Sequence, residues 1–204
     1  MNAVMKEENH AEQNAAAWYS GIAELVVALE VDYDRLEELR DERAELESEL
    51  EEARKGYADA TEDERQTGEP GDELEATIKA LADWDAENGD ELRELTAAAM
   101  VEGDLMKDAD TVRERIQEGP LSVEVRGDWH TPGCNEGHMA TEFNILLSWG
   151  GPALRLMGDL DEHGEPTRAY LQYQDWGTPW TDYFPGAGSG EILLTYAQQF
   201  YFGE

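Results

Sequence analysis

Lysine is nearly missing from this chain. Lys6, Lys55, Lys79 and Lys107 are its only lysines, and with eleven arginines they face 48 aspartates and glutamates, a formal net charge of −33 over 204 residues. Nucleic-acid binders neutralise phosphates with Lys and Arg, so this imbalance excludes direct phosphate recognition as a default role, and anionic membrane surfaces with it. Cysteine is as scarce: Cys134 stands alone and closes no internal disulfide. The N-terminus lacks a basic stretch followed by an apolar run, so no secretory leader is expected and a reducing cytoplasm is the predicted compartment. No apolar run approaches the roughly 20 residues that span a bilayer. Catalytic signatures are missing too. There is no Gly-rich phosphate loop, no Gly-x-Ser-x-Gly elbow and no His-Glu-x-x-His, and no carboxylate spacing singles out an acid/base pair. A protein with no catalytic residues and no cofactor is the expectation. Full disorder is excluded by a hydrophobic content of 40%, and the length allows one domain or two small ones.

Proline is missing from most of the N-terminal half. Residues 1–119 hold Pro70 alone, whereas residues 120–204 hold the other six prolines and four of the six tryptophans. Charge divides at the same point, with 36 acids and 12 bases (net −24) before Pro120 and 12 acids and 3 bases (net −9) after it. The composition predicts an acidic α-helical region over 1–119 and a small α+β domain over 120–204.

In the first region a seam of apolar or tolerated positions runs through Ile22, Val26, Leu29, Tyr33, Leu36, Leu39, Arg43, Leu46, Leu50, Ala53 and Tyr57. Its steps of 3 and 4 are a heptad with one extra three-residue step at Leu36 to Leu39, a stammer that overwinds a coiled coil locally. The spacing predicts a helix from about Glu12 to Tyr57, bent near Glu30 to Asp32. After a polar break from Asp59 to Gly71, Asp72 and Glu75 read as a capping box opening a second helix through Leu74, Ile78, Leu81 and Trp84, stopping at Asn88-Gly89. Asp90 then caps a third through Leu92, Leu95, Ala99, Met106, Ala109, Val112 and Ile116, with Gly103 as a weak point. This predicts a long helical hairpin or small bundle, with the seam over 22–57 leaving room for a homodimer.

The second region alternates. Leu121, Val123 and Val125 mark one strand face; Phe143, Ile145, Leu147 and Trp149 another. Leu154 and Leu156 follow a turn at Gly150-Gly151-Pro152, and Ala169, Leu171 and Tyr173 follow a turn over Asp161 to Pro166. A helix begins near Ser189 with Ile192, Leu193, Tyr196, Ala197 and Phe200. The prediction is a mostly antiparallel four-stranded sheet with one covering helix.

Three groups of residues carry candidate chemistry. Glu30, Asp34, Glu38, Asp41, Glu45, Glu49 and Glu52 recur at intervals of 4, 4, 3, 4, 4 and 3, which lines one side of a helix over roughly 33 Å, with a charge every 5 to 6 Å or so. A DNA strand presents a phosphate about every 3.4 Å, and Asp32, Glu37, Glu42 and Glu51 nearby bring the two densities close. Like charges at i,i+4 cost a helix a few tenths of a kcal/mol each. A solvated face is the plainer reading; imitation of a polyanion is the sharper one. His130, Cys134 and His138 are metal candidates, although their spacing is not a zinc pattern and the segment reads as a turn. Tyr173, Trp176, Trp180 and Tyr183, with Tyr170 and Phe184, form an aromatic cluster that reads either as core or as a contact surface.

The segments Trp149-Gly150-Gly151-Pro152-Ala153, Tyr173-Gln174-Asp175-Trp176-Gly177-Thr178-Pro179-Trp180 and Phe200-Tyr201-Phe202-Gly203-Glu204 resemble short acidic proteins of unassigned function carried by bacteriophages and integrated mobile elements. The acidic run Leu29 to Leu39 is similar as well. The resemblance implies a bacterial host cytoplasm and a phage-linked role, and brings no catalytic or binding residues with it. Together with the charge it leads to the expectation of a nucleic-acid mimic that inhibits a host defence complex of the anti-CRISPR or anti-restriction type. Its partner would be a basic nucleic-acid-binding protein. The alternative is a coiled-coil assembly or adaptor protein whose acidic surface serves solubility or a saline host.

Overall fold

A computed structural model of the protein describes residues 10–127 and 139–203. In chain order its elements are α1 (His10–Leu29), α2 (Tyr33–Asp59), α3 (Glu62–Thr67), α4 (Glu69–Ala98), β1 (Met100–Val101), β2 (Asp104–Leu105), α5 (Ala109–Glu118), β3 (Ser122–Gly127), β4 (Ala140–Ser148), β5 (Ala153–Leu160), β6 (Pro166–Gln174), β7 (Thr181–Tyr183) and α6 (Ser189–Ala197). The class is α+β, as expected. The change of texture at Gly119-Pro120 marks a change of secondary structure, while the compact units divide elsewhere. Val31–Met100 is one unit, and the described residues before Val31 and from Val101 onward form the other. Among the described residues no helix is long and apolar enough to cross a membrane.

The Val31–Met100 unit is a helical hairpin. The helix expected to run from Glu12 to Tyr57 is two helices, because Asp32 takes a non-helical conformation and its side chain accepts the Arg35 N–H at 3.0 Å, capping α2. Leu36, Leu39, Leu50 and Ala53 are buried, on the face that meets α4. Within the expected polar break, Thr61 and Glu64 form a reciprocal capping box that opens α3: the Thr61 N–H reaches the Glu64 carboxylate at 2.7 Å and the Glu64 N–H reaches Thr61 Oγ1 at 3.4 Å. The next helix starts at Glu69, with Pro70 in its first turn, and not at the Asp72–Glu75 pair. It passes unbroken through Asn88-Gly89, so the predicted second and third helices are one as far as Ala98. A glycine in a helix interior costs about 1 kcal/mol, which packing along α2 offsets. The rest of the predicted third helix is a β-hairpin, β1–β2, turning at Glu102 (φ 50°) and Gly103 (φ 89°), followed by the separate helix α5. Asp108 caps α5 by accepting the Thr111 N–H at 2.6 Å.

The second unit holds a five-stranded antiparallel sheet in the order β3-β4-β5-β6-β7, with β7 the strand that alternation did not reveal. Its rows follow from register. Ile145 pairs with Leu156, Leu156 with Leu171, and Leu171 with Tyr183. This face carries the core: Phe143, Ile145, Leu156 and Leu171 are buried, as are Val112 and Ile116 of α5, Ile22 and Val26 of α1, and Leu193, Tyr196 and Ala197 of α6. Helix α6 packs on β6, and α1 packs against α6, α5 and β6. Phe143 lies opposite Gly158 and stacks on Phe202 at 4.8 Å. Trp149, expected to extend the β4 apolar face, lies past the strand end and is 73% exposed.

A Cβ at Gly158 would collide with the Arg168 carbonyl and the Phe143 ring. Gly158→Ala should therefore lower the melting temperature sharply, and Phe143→Ala should cost about 3–5 kcal/mol in denaturant unfolding. Trp149→Ala, at an exposed site, should leave the transition unchanged.

Candidate functional site

Helix α2 sorts its residues by side. At about 100° per residue, Asp34, Glu38, Asp41, Glu45, Glu49 and Glu52 fall within an arc of roughly 80°, away from the buried seam. All six are exposed. Glu30, the expected first member of the stripe, precedes the helix and belongs to the other unit, so the stripe proper has six carboxylates. At 1.5 Å rise per residue they extend over about 27 Å.

The arginines of α2 that bridge the hairpin point the other way. Arg35 donates to Glu91 of α4 through Nε at 3.3 Å and Nη2 at 3.0 Å, a two-pronged grip, and through Nη1 to Glu38 at 2.7 Å. Arg43 donates through Nε to Asp85 at 3.0 Å and through Nη1 to Glu47 at 2.5 Å. The Trp84 indole N–H donates to Glu42 at 3.0 Å. The hydrogen bonds from Glu91, then Glu38, hold the Arg35 guanidinium well above its ordinary value, and the bond to Asp85 raises Arg43. Reciprocally, the bond from Arg35 lowers the Glu91 carboxyl. Within the stripe Glu38 is ion-paired, whereas Asp34, Asp41, Glu45, Glu49 and Glu52 form no ion pair among the described residues. The seam thus commits its cations to α4 and leaves the opposite arc negative.

The aromatic candidates divide between the two faces of the sheet. Tyr173 and Tyr183 meet edge-on at 6.5 Å on the helix-covered face, where burial, then the Glu12 charge, raises the Tyr183 hydroxyl. Trp180 lies on the outer face beneath the Arg155 guanidinium, 4.1 Å from its ring centroid. Trp176 is 77% exposed and folds its ring over Gly151. The four do not make one contact surface. His130, Cys134 and His138 lie outside the described residues, and among the described residues no cluster of His, Cys, Asp and Glu is arranged to hold a metal.

Two features escaped sequence reasoning. The first is the outer face of the sheet. Arg126, Arg155 and Arg168, the only bases after Pro120, share it with Glu124, Glu142, Asp159 and Asp182 in registered rows. Arg126 is paired with Glu142, and Arg155 donates to Gln172 at 2.7 Å, which in turn donates to Asp182 at 2.8 Å. Alternation along each strand held that signal, once register was known. The second is a concavity of about 320 Å³ between α1, α5, α6 and the β1–β2 turn, lined by Asn14, Trp18, Ile22, Glu102, Arg115 and Tyr196 among others. The Asn14 side-chain oxygen is buried there without a hydrogen-bond partner, while Arg115 is held by Glu102 at 2.8 Å and Asp104 at 3.1 Å. No sequence motif marks it.

No protein-family model, curated protein or solved structure matches the chain.

The depressed Glu91 carboxyl has a definite linkage sign. Its pairing with Arg35 contributes stability that is complete above the ordinary glutamate value of about 4.3 and is lost as pH falls through the lowered folded-state value. Glu91→Gln should lower the hairpin's melting temperature at neutral pH and show a smaller further fall on acidification than the wild type, followed by far-UV circular dichroism between neutral and strongly acidic pH.

Proposed function

We propose that this protein is a non-enzymatic polyanion mimic, carried by a phage or mobile element. In the cytoplasm of a bacterial host it occupies the basic nucleic-acid site of a DNA-binding defence complex. The observation that supports this reading is the arc of six exposed carboxylates on α2, set opposite the seam that fixes the helix, with only Glu38 tied to a cation among the described residues. A groove built for phosphates offers Arg and Lys at close intervals. A rigid rod with a carboxylate every 5 to 6 Å or so engages those cations without the cost of ordering a flexible acidic tail. The surrounding field steers encounter, so association is fast at low ionic strength and falls steeply as salt rises. Exposed carboxylates on a helix surface serve this role by charge alone, and no catalytic group is required.

The test is charge reversal on the stripe. Glu38, Asp41, Glu45 and Glu49 changed together to lysine should leave the hairpin helical, because the new cations stand among remaining acids. The variant should lose salt-sensitive capture of basic nucleic-acid-binding proteins from bacterial extract, and lose competition with duplex DNA for them. A folded four-lysine variant that still captured the same proteins would remove the mimic reading.

One observation favours assembly as a second reading: α4 has no fully buried residue, and Ile78 stays 48% exposed within its apolar pattern. In an adaptor that stacks hairpins, Ile78→Glu should abolish assembly, read by sedimentation, while reversal of the stripe is tolerated.

A further inference from the structure

Strand β3 ends the sheet. It pairs with β4 on one side, and among the described residues nothing pairs with its other edge. Val123 and Val125 sit opposite Ile145 and Phe143, on the face that carries the core, yet they are 41% and 48% exposed, and Leu121 just before the strand is 62% exposed. The apolar face of the sheet therefore continues past its helical cover onto an open edge. Long, flat edges with apolar side chains recruit further strands unless charge or a bulge prevents it. Neither prevents it here: the one register shift of the β3–β4 pair, between Arg126 and Gly127, places its extra residue, Thr141, in β4 and not in β3, and the charges on β3 are balanced. Glu124 and Arg126 are of opposite sign, two residues apart, and share the outer face.

In an antiparallel pair, directly opposed residues lie on one face of the sheet. Two copies of β3 related by a two-fold axis through Val125 would place Glu124 of each opposite Arg126 of the other. Val125 would face Val125 and Val123 would face Gly127. Centring the axis on Glu124 instead opposes two carboxylates, and centring it on Val123 leaves Arg126 unmatched. The strand is self-complementary in one register. Glu142, already bonded to Arg126, and Asn144, whose Nδ2 donates to Glu124 at 2.9 Å, would continue the polar row across both copies.

We propose that β3 is a homodimer interface: a second copy of this chain adds its β3 antiparallel to the first, centred on Val125, joining two five-stranded sheets into one. This is independent of the polyanion reading and uses neither the α2 stripe nor the helical seam. Because each copy carries a net charge of −33, the association belongs to physiological ionic strength, where the Debye length of about 8 Å screens the global repulsion more than the contacting pairs.

Sedimentation of the full chain at that ionic strength, over a wide concentration range, should reach twice the 22.9 kDa chain mass. Glu124→Arg alone would set the introduced guanidinium against Arg126 of the other copy, and Arg126→Glu alone would set two carboxylates together. Each variant should stay monomeric, with the circular dichroism of the wild type. Mixed in equal amounts the two become complementary, and the mixture should regain the dimer mass. Val125→Lys should be monomeric in every mixture. A wild type that remains monomeric throughout, or a dimer that survives each single variant, would overturn the proposal. So would single variants that are folded and monomeric but fail to recombine.

Discussion

The seam between α2 and α4 is the interaction on which the acidic hairpin depends. A helix with carboxylates at successive i,i+4 positions is destabilised along its own surface, and an isolated helix in water is marginal even with favourable side chains. Burial of Leu36, Leu39, Leu50 and Ala53 supplies what the sequence of α2 alone does not. Arg35 and Arg43 add to it from the margin of the same face, because each reaches across to a carboxylate on α4. Exposed ion pairs are worth little one by one, but these two do more than attract. They fix the antiparallel register and absorb α4 carboxylates that would otherwise repel α2. The stripe stays rigid because the opposite face is occupied.

The other unit is held together differently. Its sheet is covered by helices from both ends of the chain, α1 from before the hairpin and α6 from near the C-terminus, so the hairpin is an insertion in sequence between α1 and the rest of its unit. Insertions of this kind are tolerated where the chain leaves and re-enters at element ends. Here it leaves after Glu30, just past the end of α1, and returns within β1. Gly158 shows how closely the core is fitted. A central strand has given up a side chain so that Phe143 and the neighbouring strand can approach, and Phe202 from the C-terminal segment closes over the ring.

Much of this is legible in the sequence, and the misreadings have physical causes. The 3-and-4 spacing identifies the buried face of α2 correctly but not the break at Asp32, because a capping aspartate between two apolar stretches keeps the heptad phase while ending the helix. Asn88-Gly89 reads as a stop, but packing along α2 overrides local propensity over so long a helix. Gly103 reads as a weak helical position, whereas Glu102 and Gly103 together make the left-handed turn of a hairpin. Alternation finds β3, β4, β5 and β6 and puts Val123 and Val125 on one strand face, yet it does not reveal that both stay exposed. Period two tells which face a residue is on, not how far the covering helices extend. The acidic stripe is legible because helix geometry alone determines it, whereas the aromatic group is not, since strand register sends Tyr173 and Trp180 to opposite faces.

How the charge is distributed bears on why it is there. Val31–Met100 contains 25 acids and 8 bases, a net of −17 in 70 residues, while the remaining 134 residues carry 23 acids and 7 bases, a net of −16. The hairpin is thus about twice as densely charged as the rest. The outer face of the sheet is nearly balanced, with three arginines set among four carboxylates. Adaptation to a saline medium, or solubility alone, acts on exposed surface wherever it lies and gives no reason for one unit to be strongly negative while an exposed sheet face alternates sign. A requirement confined to one surface does give such a reason. Repulsion along α2 works against the fold, and the simplest relief, exchanging a few stripe glutamates for lysine, has not been taken at any of the six positions. On the polyanion reading proposed above this pattern follows directly, because the field itself, rather than wetness, is then what the helix is kept for.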